Sequence, residues 1–99
     1  MLNVIKNAQN NILTIALEGR LDTITAPQLE ADLSDALNGV ATLIFDIEKL
    51  EYISSAGLRV LLAAQKKMKG QGDMIVKNVC ETVMEIFDVT GFSEILTIE

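Results

Sequence analysis

Two adjacent hydroxyls, Ser54 and Ser55, stand after the apolar Tyr52–Ile53 and before Ala56–Gly57, in the stretch EYISSAGLRVLL (residues 51–62). A serine becomes a nucleophile when a base within hydrogen-bond reach takes its proton. The chain contains no histidine. A Ser–Lys arrangement would have to use Lys66, Lys67 or Lys69, roughly 15 Å or more from Ser55 along a helix that rises about 1.5 Å per residue. The G-x-S-x-G elbow is absent. Serine catalysis is therefore not expected, and the chain does not read as an enzyme.

Metal and nucleotide chemistry fare no better. With no histidine and the single Cys80, only carboxylate sites remain, and the acids show no EF-hand spacing. Neither G-x-G-x-x-G nor G-x-x-x-x-G-K-[ST] occurs, and Gly70–Gln71–Gly72 is a helix stop. No metal and no cofactor are expected.

What remains for the two serines is their place. If a helix begins near Ala56, one of them is its N-cap, accepting a hydrogen bond from an orphan N–H of the first turn. The same place favours an anion, by about 0.3–1 kcal/mol and up to ~2, through the positive end of the helix dipole. A phosphate there would add about −1.5 to −2 charge without unfolding the helix. Gly57, lacking a side chain, allows a second backbone to come close. Cap and phospho-switch are compatible, and the residues alone leave both open.

The bulk composition narrows the partners. Ninety-nine residues, 49% of them apolar and 22% charged, make one compact domain over residues 1–99. Eight basic against 14 acidic residues give a net charge of −6, which disfavours nucleic acid and anionic membranes. Lys66, Lys67 and Lys69 cluster in the last turn of an expected helix, where cations complement the dipole. The lone cysteine excludes an internal disulfide and suits a reducing compartment. No leader-like apolar region opens the chain, and no run approaches the ~18 apolar residues of a membrane span. A cytoplasmic protein without membrane insertion is expected.

The elements that must position the serines follow from periodicity. Residues 2–6 and 12–18 are extended, joined across Asn7, Asn10 and Asn11 as a hairpin. In the second, Leu13, Ile15 and Leu17 alternate with Thr14, Ala16 and Glu18, and Gly19 is expected to end it. Thr25 and Gln28 have capping-box spacing, Pro27 suits a first turn, and Glu30 and Asp32 favour the positive end of the helix they open. Leu29, Leu33 and Leu37 give that helix its apolar stripe, and Gly39 stops it. Residues 42–45 form a strand ending at Asp46, and 50–53 a loop or brief extended piece. A helix with Leu58, Leu61, Leu62 and Met68 on one face runs to about Lys69. Residues 74–77 form a strand, 80–89 a third helix with Val83 and Phe87 one turn apart, and 95–98 a last strand. The order β-β-α-β-α-β-α-β predicts an α/β fold. Its small mixed sheet is mostly parallel, with the helices packed largely on one face.

With these elements in place, the residues resemble a known family. Gly19–Arg20–Leu21–Asp22, with Ala26 and Leu29, resembles the G-x-L-D-x-x-x-A-x-x-L signature of the STAS domain. Asp46 through Tyr52–Ile53–Ser54–Ser55–Ala56–Gly57–Leu58 is similar to that family's phosphorylation segment and following helix, and Val83, Ile86, Phe87 and Gly91 fit its last helix. The resemblance spans almost the whole chain in order and is greatest to the bacterial anti-sigma factor antagonists. It implies a sheet of about four strands with helices on one side. It implies binding to an anti-sigma factor that is a serine kinase, so that the sigma factor is freed. It further implies phosphorylation at the start of the central helix, and resetting by a PP2C-type phosphatase.

Carried over by position, the phosphorylated serine is Ser55, with Ser54 the alternative. Asp22, Thr23, Ser54, Ser55, Ala56, Gly57 and Leu58 would form the docking face. Several antagonists carry Asp immediately before the phosphorylated serine, where this chain has Ser54, and often a second serine after it, where it has Ala56. The first change removes a negative charge and adds a rival hydroxyl. Related domains also occur in stress-signalling scaffolds and in lipid-transport complexes, and the alternative reading is a binding or scaffold subunit of such a complex that is not phosphorylated.

Overall fold

The computed structural model describes residues Met1–Glu99. Strand β1 (Leu2–Gln9) turns back through Asn10 and Asn11 into β2 (Ile12–Leu21). Asn10 takes a φ of 59°, a left-handed conformation that asparagine adopts more readily than most residues. Helix α1 (Ala26–Ala36), strand β3 (Thr42–Ile53), helix α2 (Ser55–Lys69), strand β4 (Asp73–Lys77) and helix α3 (Glu81–Thr90) follow, then a short 3-10 turn, Phe92–Glu94. The sheet order is β1-β2-β3-β4, with β1 antiparallel to β2 and the other pairs parallel. This is the mixed, mostly parallel sheet expected. No helix is long and apolar enough to cross a membrane.

Strand alternation decides which face is covered. Leu13 and Ile15 pair with Leu43 and Phe45, which pair in turn with Met74 and Val76, and all six are at most 4% exposed. Their neighbours Thr14, Ala16, Ile44, Asp46 and Ile75 point the other way and are half-buried. Onto the covered face α1 lays Leu29 and Leu33, α2 lays Leu58, Leu61 and Met68, and α3 lays Val83 and Phe87. Together with the strands they form one cluster of 24 buried apolar residues. Burying each large side chain contributes about 1.5–3 kcal/mol, so the helices stay on that face.

Four expectations need correcting. Gly19 does not end β2; the strand runs on to Leu21, with Gly19 at φ +106° where the register with β3 shifts. A Cβ there would come 2.2 Å from the Met1 carbonyl oxygen, so the shift needs glycine. Asp46 does not end β3 either, since the strand continues through Glu48 and Lys49 to Ile53 beside the second half of β2. These polar residues fit because Glu48 and Lys49 are exposed, and Lys49 Nζ stands 3.7 Å from Glu18 Oε2 across the pair. The last strand shrinks to one parallel bridge between Val76 and Ile98, because the N–H groups of Ile95 and Leu96 bond back to the Phe92 carbonyl and cannot extend the ladder. At α1, the capping box does not form, and its first turn holds no acid, Glu30 and Asp32 lying beyond it.

Candidate docking face at the start of helix α2

The missing capping box shows how the site is built. The Thr25 hydroxyl faces back into the β2–α1 loop, where it donates to the Arg20 carbonyl (2.8 Å) and accepts from the Asp22 N–H (2.9 Å). Asp22 Oδ1 in turn accepts from the N–H groups of Ile24 (3.0 Å) and Thr25 (3.1 Å). Gln28 reaches away to the Leu2 carbonyl. The loop is thus tied to itself, which leaves Thr23 and Ile24 exposed at its tip, Ile24 at 87%.

Asp22 is held below the ordinary aspartate pKa. The Thr25 N–H contributes most to this, and the Thr25 hydroxyl, the Ile24 N–H and the N-terminal amine act in the same direction. Partial burial opposes them. Its carboxylate is ionised at neutral pH and lies 3.9 Å from Arg20 Nε. Arg20 also stands over the Tyr52 ring, its guanidinium carbon 4.5 Å from the ring centre.

The second half of the site begins where β3 ends. Ser54 has extended backbone (φ −98°, ψ 176°) and is the N-cap of α2, its Oγ accepting from the Gly57 N–H at 3.4 Å. The Leu58 N–H bonds the Ser54 carbonyl at 2.9 Å, which starts the helical ladder. Ser55, the first residue of α2, is exposed, while Ser54 is half-buried. The two serines therefore differ. One hydroxyl closes the helix, and the other faces solvent at its positive end.

The two halves are locked together. The Ser54 N–H donates to the Leu21 carbonyl at 2.9 Å. Gly57 lies so close to the end of β2 that a Cβ would come 2.7 Å from Leu21 Cγ, 2.8 Å from Ile53 Cγ1 and 3.0 Å from the Leu21 oxygen. The backbone that approaches Gly57 is the chain's own. Asp22, Thr23, Ser54, Ser55 and Ala56 come together at one end of the sheet with solvent access, whereas Gly57 and Leu58 are buried and hold the turn beneath them. Sequence reasoning missed three neighbours, Ile24, Arg20 and Tyr52. An isoleucine between Thr23 and Thr25, outside any apolar stripe, was the available sign for the first. Arg20 and Tyr52 meet only through the β2–β3 register.

Comparison with known proteins agrees with this geometry. The STAS domain family matches residues 3–99. BtrV of Bordetella bronchiseptica, a proposed anti-sigma factor antagonist, is 34% identical over 90% of this chain and 78% of its own. The anti-sigma-B factor antagonist of Bacillus subtilis is 29% identical over 98% of this chain and 90% of its own. Among solved structures, an anti-sigma factor antagonist from Mycobacterium paratuberculosis superposes with a TM-score of 0.89 at 19% identity, covering 99% of this chain and 85% of that one. The Bacillus cell fate determinant SpoIIAA in its phosphorylated form gives 0.74 at 22% identity, covering 100% and 91%. A four-stranded mixed sheet with its helices on one face, the tied loop at Asp22 and the family match over nearly every residue lead to one conclusion: this chain belongs to the STAS domain family.

Proposed function

We propose that the chain is an anti-sigma factor antagonist, a cytoplasmic and non-enzymatic regulator that binds an anti-sigma factor serine kinase and is switched off by phosphorylation of Ser55. The observation that carries the reading is the division of labour between the serines: Ser54 caps α2, and the exposed Ser55 follows it at the helix start, which the Ser54 N–H ties to the Leu21 carbonyl beside Asp22. The identity with proteins named as antagonists supports the class of partner.

The mechanism follows from the site. The kinase docks on Thr23, Asp22 and the exposed residues of the first turn of α2, and so leaves its sigma factor. It then transfers the terminal phosphoryl group of a nucleoside triphosphate to Ser55 Oγ. The hydroxyl loses its proton, and a nucleoside diphosphate departs. The helix dipole tolerates the new charge, so the fold persists. The docking face gains about −1.5 to −2 charge beside Asp22, and the partner is repelled. A PP2C-type phosphatase hydrolyses the ester and restores binding.

The test is binding of Ser55→Asp and Ser55→Ala to the purified kinase. Ser55→Ala should bind like the unmodified chain, and Ser55→Asp should lose at least tenfold in affinity. Equal affinities for the two would sink the switch and favour an unregulated binding or scaffold subunit.

A further inference from the structure

Arg59 follows Ser55 by four residues in α2, and both side chains are exposed. The chain has two arginines, and they differ in their engagements. Arg20 is occupied by Tyr52 and Asp22. Arg59 has no carboxylate within 4 Å of its nitrogen atoms, since the ion pairs of the chain are Arg20–Asp22 and Lys49–Glu18. It lines a groove between the starts of α1 and α2 with Thr23, Ala26, Glu30, Ala56 and Val60. The other cations of α2, Lys66, Lys67 and Lys69, lie in its last turn, far from Ser55.

We propose that Arg59 is the internal partner of a phosphate on Ser55, closing an ion pair along α2 when the switch is thrown. This rests on the reading of Ser55 as the phosphorylated residue. Residues four apart on a helix are neighbours, and an anion placed N-terminal to its cation is the more favourable order. The planar guanidinium suits phosphate oxygens, which it can hold with two parallel hydrogen bonds. Phosphorylation then acts twice. It adds negative charge to the docking face, and it withdraws from that face an unengaged cation available to a partner's carboxylate. The phosphate is drawn along the helix over the groove.

The experiment uses the full chain with phosphoserine installed at position 55 during translation, without any kinase. The second phosphate pKa, ordinarily about 6, is read by phosphorus NMR in the wild type, Arg59→Gln and Arg59→Lys. The pair favours the dianion, so the wild-type value should lie below that of Arg59→Gln by at least about 0.3 unit. Arg59→Lys should fall between them, and the difference should shrink at about 1 M salt. Equal values in all three proteins would overturn the pair.

The other charged groups on the segments that meet the start of α2 are Arg20 and Asp22 at the end of β2 and its loop, Glu30 of α1 and Glu51 near the end of β3. They are common to all variants, so a difference belongs to residue 59. Unfolding curves of the unphosphorylated variants check that all three fold alike. A kinase that fails to bind the unmodified chain would sink the proposed function and leave this titration standing. Equal pKa values would sink the pair and leave the proposed function standing.

Discussion

Helices α1 and α2 each begin after a hydroxyl residue, Thr25 and Ser54, and use it in opposite directions. Ser54 turns forward and caps the first turn of α2. Thr25 turns backward and knits the loop before α1, between the Arg20 carbonyl and the Asp22 N–H, and is only 8% exposed. The first arrangement stabilises a helix end, and the second shapes a loop. Together they leave Ser55, Thr23 and Ile24 facing solvent on a rigid platform. A hydroxyl before a helix is therefore evidence of a hydrogen bond, and its recipient is decided by the neighbouring elements.

The sharpest way to break the platform is at the contact between its halves. Gly57→Val would push a branched side chain into Leu21 and Ile53. Overpacking of this kind costs about 2–3 kcal/mol, measured as a lower denaturant midpoint. A loss below about 0.5 kcal/mol would show that the two halves are not tightly joined.

The comparison of hydroxyls itself predicts an order. Thr25→Val leaves the Asp22 N–H without its acceptor and should cost about 1–3 kcal/mol. Ser54→Ala removes a long cap hydrogen bond and should cost about 0.5–1 kcal/mol. Ser55→Ala should stay within about 0.5 kcal/mol of the wild type, as an exposed residue without a structural bond. The reverse order for Thr25 and Ser54 would mean that Thr25 is an ordinary cap.

The smallest effect is a pH dependence. Asp22 has a lowered pKa in the folded chain, so its contribution is present above the ordinary aspartate value and is lost as pH falls through the lowered one. The stability gap between the wild type and Asp22→Asn should therefore narrow as the pH is taken from 7 to below about 4. A gap that stays constant would mean that the loop bonds do not favour the ionised Asp22.

Much of this fold was legible in the sequence because one face of the sheet is covered and the other is not. Leu13, Ile15 and Leu17 alternate cleanly with Thr14 and Ala16, and the stripes of α1 and α2 follow the helical period. The two strands that were read too short share a cause, since each needed a partner distant in the chain. Gly19 breaks a strand by local rules, yet the Met1 carbonyl packs against it and the strand survives. Asp46, Glu48 and Lys49 are polar because they lie off the core, so the second half of β3 carries a weak apolar signal. The candidate site divides in the same way. Ser54, Ser55 and Asp22 stood out by motif, while the stacking of Arg20 on Tyr52 depends on the β2–β3 register.

Under the proposed function the solvent-facing serine, and not the capping one, is the switch. Phosphosite mapping of the protein purified from cells in which its kinase is active tests it most directly. One phosphoryl group is expected, on Ser55, with Ser54 unmodified. Phosphate on Ser54, whose hydroxyl closes α2, would contradict it, and so would an unmodified chain beside a demonstrably active kinase.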